Sequence, residues 1–265
     1  MVLVININEK IEISTQREYL VVKSNELIQR NRFELSLVEQ KTIAFICSLI
    51  KPITTNNNTS YQLEYDFNIR EYCKICGIYY DSGKNYADIK ATLKKLSDRS
   101  MWVTFESNPD EEVLCRWLSK VRTNKKTGIA HIKIDEDLAP YLFNLGQKFT
   151  QYQLLNILAM KSAFSTRIYE IMKSYAFQKN KTFDIDELKR LLMVENVKSY
   201  KNFSDFKKRV LVKAQEEINR LTDINIYFEP IKKGNKVVKI KFIIDTKNTI
   251  DRLNANRLVV NQLEQ

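Results

Sequence analysis

The sequence predicts an α+β fold of two tandem winged helix–turn–helix domains related by internal duplication, and three observations predict it. First, Phe67-Asn-Ile-Arg-Glu-Tyr-Cys-Lys-Ile-Cys-Gly-Ile78 recurs in outline as Phe183-Asp-Ile-Asp-Glu-Leu-Lys-Arg-Leu-Leu-Met-Val194. The apolar positions Phe67, Ile69, Tyr72, Ile75 and Ile78 fall on Phe183, Ile185, Leu188, Leu191 and Val194. Second, the matches continue in order. Tyr86-Ala-Asp-Ile89-Lys90 aligns with Phe203-Ser-Asp-Phe206-Lys207, and Trp102-Val-Thr-Phe105-Glu106 with Ile226-Tyr-Phe228-Glu229. Ile132-Lys-Ile134-Asp135 then aligns with Phe242-Ile-Ile244-Asp245. An ordered series of this kind marks a repeated unit. Third, each copy reads helix, turn, helix and basic hairpin, a shape that enters DNA grooves.

Along the chain, residues 1–18 alternate weakly and read as a strand or a flexible lead-in. Ser24-Asn25-Glu26 opens a short helix with Ser24 or Asn25 as its cap. Ser36-Leu-Val-Glu39 is a capping box, and Leu37, Ala44, Phe45 and Leu49 follow at helical spacing until Lys51-Pro52. The Asn/Thr cluster at 54–60 is a loop, 61–67 a short strand and 69–76 a helix. After a turn at Asp81-Ser-Gly83, helix 84–97 carries Tyr86, Ile89, Leu93 and Leu96 on one face. Strands are expected at 101–106, 112–121 and 129–134, the last two joined by a turn over 122–128. A connector helix spans 135–146 with Gly146 as its stop.

The second copy reads as helices 151–160, 163–178, 184–193 and 201–221, strands 224–229 and 236–244, and a wing turn at 232–236. Helix 201–221 is expected to bury Phe203, Phe206, Val210, Ala214, Ile218 and Leu221. The Asn-rich tail is either a peripheral helix or disordered. The division is therefore an N-terminal domain 1–146, a C-terminal domain 147–248 and a tail 249–265.

Composition agrees. A chain of 265 residues, 44% hydrophobic and 11% aromatic, holds two globular cores. No apolar run approaches the ~20 residues of a membrane span, and the N-terminus shows no basic leader or cleavage site, so a cytoplasmic chain is expected. Four cysteines make no disulfide framework and fit that compartment. Charge is unevenly placed: residues 1–147 carry 20 basic against 19 acidic side chains, and residues 148–265 carry 23 against 13. A local excess of this size points to a polyanion, because each neutralised phosphate releases counterions. The plainer reading is a basic surface kept for solubility.

Burying the apolar stripe of helix 201–221 turns Lys198, Tyr200, Lys201, Asn202, Ser204, Lys207, Lys208 and, less firmly placed, Leu211 outward. Asn202, Ser204, Lys207 and Lys208 lie where base edges are reached, and their side chains suit adenine, guanine or either. Lys198, Tyr200, Lys201, Arg209 and Lys213, with wing residues Lys232, Lys233 and Lys236, suit phosphates, which position a protein without specifying sequence. The first copy offers Lys84, Asn85, Lys90 and Lys94 with Arg122, Lys125 and Lys126 in its wing, offset by Asp88, Asp98 and Asp110-Glu-Glu112. Taken singly, each lysine also reads as a solvated helix face. Trp102 and Trp117 mark strands that present an edge to a second copy, or else core.

Other chemistries find little support. One histidine, His131, excludes paired-histidine metal nucleases. The stretch from Gly77 to Asn85 departs from a phosphate-binding loop in both spacing and final residue. Cys73-Lys-Ile-Cys76 is half a zinc motif, with Cys115 and His131 irregularly placed. No nucleophile triad or paired carboxylates stand out, so neither an enzyme nor a cofactor is expected.

Tyr19-Leu-Val-Val-Lys-Ser-Asn-Glu-Leu-Ile28, Phe33-Glu-Leu-Ser-Leu-Val-Glu-Gln-Lys-Thr-Ile-Ala-Phe45 and Lys239-Ile-Lys-Phe-Ile-Ile-Asp245 resemble the iteron-binding plasmid replication initiators. The resemblance runs over residues 19–245. It implies binding to short direct repeats at a plasmid origin, melting of adjacent AT-rich DNA, and recruitment of a host initiator and the replicative helicase. It also implies that the C-terminal winged helix is the main reader, through helix 201–213. Wing 232–236 and helix 84–95 would touch backbone. The N-terminal domain would mediate dimerisation, with monomers initiating and dimers repressing their own promoter. Asp110-Glu-Glu112 departs from that pattern by interrupting the first-copy strands. A tandem winged-helix transcriptional repressor, and a protein-interaction scaffold whose lysines only solvate it, remain the other readings.

Overall fold

The structure, a computed structural model, describes residues 12–13, 15–50, 62–79, 82–105, 108–143 and 148–264. The expectations for 1–11, 51–61, Asp81 and Gly146 lie outside them. Strand β1 (Leu20–Ser24) leads into α1 (Asn25–Gln29), where Ser24 Oγ accepts from the Leu27 N–H at 3.1 Å. The capping box opens α2 (Leu37–Leu49). Ser36 Oγ accepts from the Glu39 N–H at 3.3 Å, and Glu39 Oε2 accepts from the Ser36 N–H at 2.6 Å. Then come β2 (Glu64–Asn68), α3 (Ile69–Ile75), α4 (Ser82–Asp98), β3 (Ser100–Phe105), β4 (Asn108–Arg116), β5 (Leu118–Asn124), β6 (Ile129–Ile134) and α5 (Pro140–Phe143).

The second copy runs β7 (Phe149–Gln153), α6 (Leu155–Leu158), α7 (Ala163–Ser174), β8 (Asn180–Asp184) and α8 (Ile185–Leu191). A long helix follows in three segments: α9 (Phe203–Phe206), a π-helical turn Lys207–Val212 and α10 (Lys213–Leu221). The hairpin β9 (Ile224–Lys233) and β10 (Lys236–Thr246) precedes α11 (Thr249–Leu263).

The two copies are winged helices with the same sheet, ordered β2-β6-β5 in the first and β8-β10-β9 in the second. Their registers coincide. Ile132 lies between Tyr65 and Val121, as Phe242 lies between Lys181 and Phe228. Phe228 therefore corresponds to Val121, and the expected match of Trp102–Phe105 with the second-copy wing is corrected. The β3–β4 hairpin is an insertion peculiar to the first copy. Asp110-Glu-Glu112 does not interrupt it, because β4 continues through those residues.

The duplication also explains how the halves meet. The leading strands β1 and β7 pair antiparallel with Val22 opposite Gln151, and helices α2 and α7 pack together. An antiparallel pair has a local two-fold axis, so each copy faces its twin. This ladder crosses the 146/147 boundary expected from sequence. Beneath it Lys23 Nζ lies 2.6 Å from Glu170 Oε1, both side chains buried, and the Tyr152 hydroxyl donates to the same carboxylate at 2.5 Å. Arg167 donates to the carbonyls of Ile28 and Asn31 at 2.8 and 2.9 Å, with its guanidinium 4.3 Å from the Phe33 ring centroid. Burial alone would raise the Glu170 carboxyl. Lys23 and Arg167, with the hydrogen bonds from Lys23 and Tyr152, outweigh it and hold that group below its ordinary value.

Other expectations change. Residues 15–17 are helical rather than extended, and buried Arg17 donates to the Ile75 and Lys74 carbonyls at 2.9 and 3.0 Å, closing α3. The expected strand 112–121 is two strands, β4 and β5. The connector helix shrinks to α5, and helix 151–160 is strand β7 followed by α6. The tail is helical: α11 buries Ala255 and Val259 against α6 and α10. Its far end reaches the first copy, where a Cβ on Gly77 would stand 2.8 Å from Leu263 Cδ2 and 2.9 Å from Leu263 Cα. Gly77 and its counterpart Met193 both adopt left-handed backbone, φ 65° and 56°, as their helices end. Trp117 is core, edge-on to Phe33 at 5.1 Å, whereas Trp102 is 57% exposed.

Glu170→Gln strands two buried cations and should cost about 3 kcal/mol in denaturant melts. Because the folded carboxyl is depressed, its contribution is present above the ordinary value of 4.5 and is lost as pH falls below it. The variant should lack that acid limb. Met193→Gly should raise stability by about 0.5 kcal/mol, the left-handed cost of about 1–2 less the glycine entropy of about 0.5–1. Gly77→Ala should lower the melting temperature, since both conformation and Leu263 oppose it.

Candidate nucleic-acid interface

The long helix of the second copy starts at Asn202, whose Oδ1 accepts from the Ser204 N–H at 2.9 Å. A 3-10 turn, Lys198–Lys201, delivers it and leaves Lys198 and Lys201 exposed. Tyr200 departs from the outward role expected of it. Half-buried, its ring packs edge-on against Phe206 at 6.0 Å and Phe164 at 6.3 Å, so it holds the approach in place. Asn202, Ser204, Lys207, Lys208, Arg209 and Lys213 are all exposed. Arg209 Nε lies 4.0 Å from Asp205 Oδ1, an exposed pair that leaves its charge largely available.

The π-helical turn decides which side chains point out. An α-helix advances about 100° per residue and an i→i+5 turn about 80°. Strict four-residue spacing, as in Phe206, Val210, Ala214 and Ile218, drifts around an α-helix by about 40° per step. The six residues Lys207–Val212 hold back about 120°, the drift that the three steps from Phe206 to Ile218 would accumulate. All four side chains consequently stay buried. Leu211, grouped with the outward residues from sequence, is instead 1% exposed, because the wider turn brings it beside Val210.

The wing extends further than expected, with Lys233 paired to Lys236 across a Gly234-Asn235 tip. Gly234 alone of the two takes positive φ, at 61°, the pattern of a type II′ hairpin. Lys232, Lys233 and Lys236 are exposed around that tip. Lys239, missed in the sequence, adds an exposed cation 3.7 Å from Asp184. Its signal was the alternation of Lys239 and Lys241 with buried Ile240, Phe242 and Ile244.

In the first copy α4 exposes Lys84, Lys90 and Lys94, with Asn85 half-buried. Lys94 is ion-paired to Asp98, an exposed pair that, like Arg209 with Asp205, leaves its charge largely available. Arg122, Lys125 and Lys126 are exposed on the wing, where Asn124 Oδ1 accepts from the Lys126 and Thr127 N–H groups at 2.9 and 3.2 Å. The Gly128 carbonyl accepts from the Ile69 N–H at 2.9 Å, tying the wing root to α3. Burial pushes the Cys73 thiol up to about 11 and the Cys76 and Cys115 thiols to about 12, so these side chains are neutral. Among the described residues no three His, Cys, Asp or Glu side chains are grouped to hold a metal ion, and no helix is long and apolar enough to cross a membrane.

Comparison with known proteins yields two family matches: Initiator Replication protein, WH1, over residues 20–173, and Initiator Rep protein, WH2, over residues 184–244. The PI protein of Escherichia coli is 29% identical over 171 residues, covering 58% of this chain and 55% of that protein. The chain thus spans just over half the length of that relative. The crystal structure of Pi initiator protein in complex with iteron DNA superposes with a TM-score of 0.69 at 21% identity, covering 88% of this chain and 99% of that one. At that identity the likeness is one of fold.

The π-helical turn makes a stability prediction. Leu211→Ala should cost about 2–5 kcal/mol, whereas Lys208→Ala should stay within about 0.5 kcal/mol in the same urea titration. An uninterrupted α-helix would carry Leu211 outward and make both changes mild.

Proposed function

We propose, from the premise that this chain belongs to the initiator replication protein family, that it is a sequence-specific double-stranded DNA-binding initiator of plasmid replication. Its sites would be iteron repeats at the origin. The observation that carries the proposal is the concentration of exposed cations on the second copy. Lys207, Lys208, Arg209 and Lys213 line the long helix, and Lys232, Lys233 and Lys236 crown the hairpin beside it. In a winged helix these two elements meet the major groove and the flanking backbone. The relative seen with iteron DNA shares the fold, which supports the same use here.

On this reading residues 147–248 form the main reader. Residues 1–146 supply weaker backbone contacts through Lys84, Lys90, Arg122, Lys125 and Lys126. Exposed Trp102 and Leu114, paired across β3 and β4, support a self-association role for the first-copy hairpin. Opening of the origin, recruitment of the host initiator and replicative helicase, and repression of the chain's own promoter as a dimer complete the proposal. Chemistry is left to those partners, and the protein acts without cofactor or catalysis.

Footprinting on the replicon that carries the gene, at ~150 mM salt with competitor DNA, tests this directly. Protection repeating in one orientation about every two helical turns supports the initiator. A lone inverted repeat over a promoter would mark a repressor, and no discrete protection would leave only a scaffold. Replacing Lys232, Lys233 and Lys236 together by Ala should weaken specific and random DNA alike. It should also lower the salt slope by about 0.9 for each phosphate contact removed.

A further inference from the structure

We propose that Ser204, Lys208 and Val212 form the base-reading row of the long helix, with Val212 the contact for a thymine methyl group. The inference rests on the DNA-binding reading above and adds to it a specificity-determining residue.

Taking the buried direction of Phe206 as zero, about 80° per residue through the π-helical turn places Lys208 and Val212 at about 160° and 120°. Ser204, about 200° back along ordinary α-helix, falls at about 160° as well. The three line up along the outward face, a row that straight helix would wind sideways. Lys207 falls on one flank, at about 80°, and Arg209 and Lys213 fall on the other. Flanking cations suit the two phosphate strands bordering a groove, and the central row suits its floor.

Val212 is the unexpected member. It is half-buried among exposed Lys208, Arg209 and Lys213, while its neighbours Val210 and Leu211, each 1% exposed, already fill the core side of the turn. Val212 packs part of its β-branched side chain against the helix and leaves the remainder on the cationic face. Facing the major groove it meets the one apolar group that base edges present there, the C5 methyl of thymine. Lys208 and Ser204, one and two turns earlier, bring a guanine-directed donor and a hydroxyl for either purine.

The test uses the full chain. Its preferred sites are selected from random-sequence duplexes, and thymines in the winning site are replaced one at a time by uracil, which removes only the methyl. Wild-type protein should lose about three- to fivefold in affinity at one or two positions. Val212→Ala should lose about the same on the thymine site and show no further loss with uracil there. Lys208→Ala should blunt selectivity, while Lys207→Ala and Arg209→Ala weaken selected and random duplexes equally. Indifference to uracil at every thymine, or an undiminished uracil effect in Val212→Ala, would overturn the assignment while leaving DNA binding intact. Failure to select any discrete sequence would instead remove the DNA-binding reading and this inference with it.

Discussion

The buried pair of Lys23 and Glu170 is the interaction on which the rest of the molecule depends. Lys23 belongs to the leading strand of the first copy and Glu170 to the first long helix of the second. Two charges lose several kcal/mol each on leaving water, and only close pairing with further hydrogen bonds offsets that loss. Tyr152 supplies one such bond from the strand paired with β1, and Arg167 adds positive charge while anchoring the Ile28–Asn31 turn. The network forms only when β1 lies against β7 and α7 packs on both. It therefore specifies one relative placement of the two winged helices, which apolar contact between α2 and α7 alone would leave freer to slide.

Around that junction the copies have diverged in opposite directions. The first has gained a hairpin between its second helix and its wing, with Trp102 exposed and an acidic run along β4. The second has the plain sheet and a long helix with one widened turn and cations along its outside. The charge difference between the halves thus has a structural counterpart. The first copy exposes an aromatic side chain and an acidic strand, and the second exposes cations on its long helix and wing. The closing helix α11 adds a second link between them, leaving the second copy after β10 and ending on Gly77 of the first. Few side chains at that position would let the two backbones approach so closely.

Much of this was legible in the residues. Ser36 and Glu39 announced their helix because a capping box is a local exchange of hydrogen bonds that needs no distant partner. Phe67 and Phe183, with the apolar spacing that follows each, announced α3 and α8. Lys207, Lys208, Lys232, Lys233 and Lys236 are exposed as expected, since charged side chains reach water wherever the backbone permits. The misreadings also have physical causes. Leu211 was turned outward by assuming about 100° per residue throughout. Tyr200 sits among lysines in the sequence, while its ring packs on Phe206 in the helix it leads into and on the distant Phe164. Residues 151–160 looked helical because a five-residue strand next to a helical turn has no clear period of its own.

By itself, then, the sequence determined the repeated helix–turn–helix and hairpin, the placement of positive charge on the second copy and the capping box that begins α2. These follow from local hydrogen bonds and from the periodic separation of apolar and polar side chains, which act over a few residues. Tertiary structure alone decided that β1 pairs with β7, that Lys23 meets Glu170 across 147 residues of chain, and that Leu263 closes over Gly77. It also decided that the long helix of the second copy opens into a π-helical turn, because the apolar stripe keeps one face only when the helix is packed against its core. Pairings between distant segments leave no periodic trace along the chain, so they appear only when the fold brings those segments together.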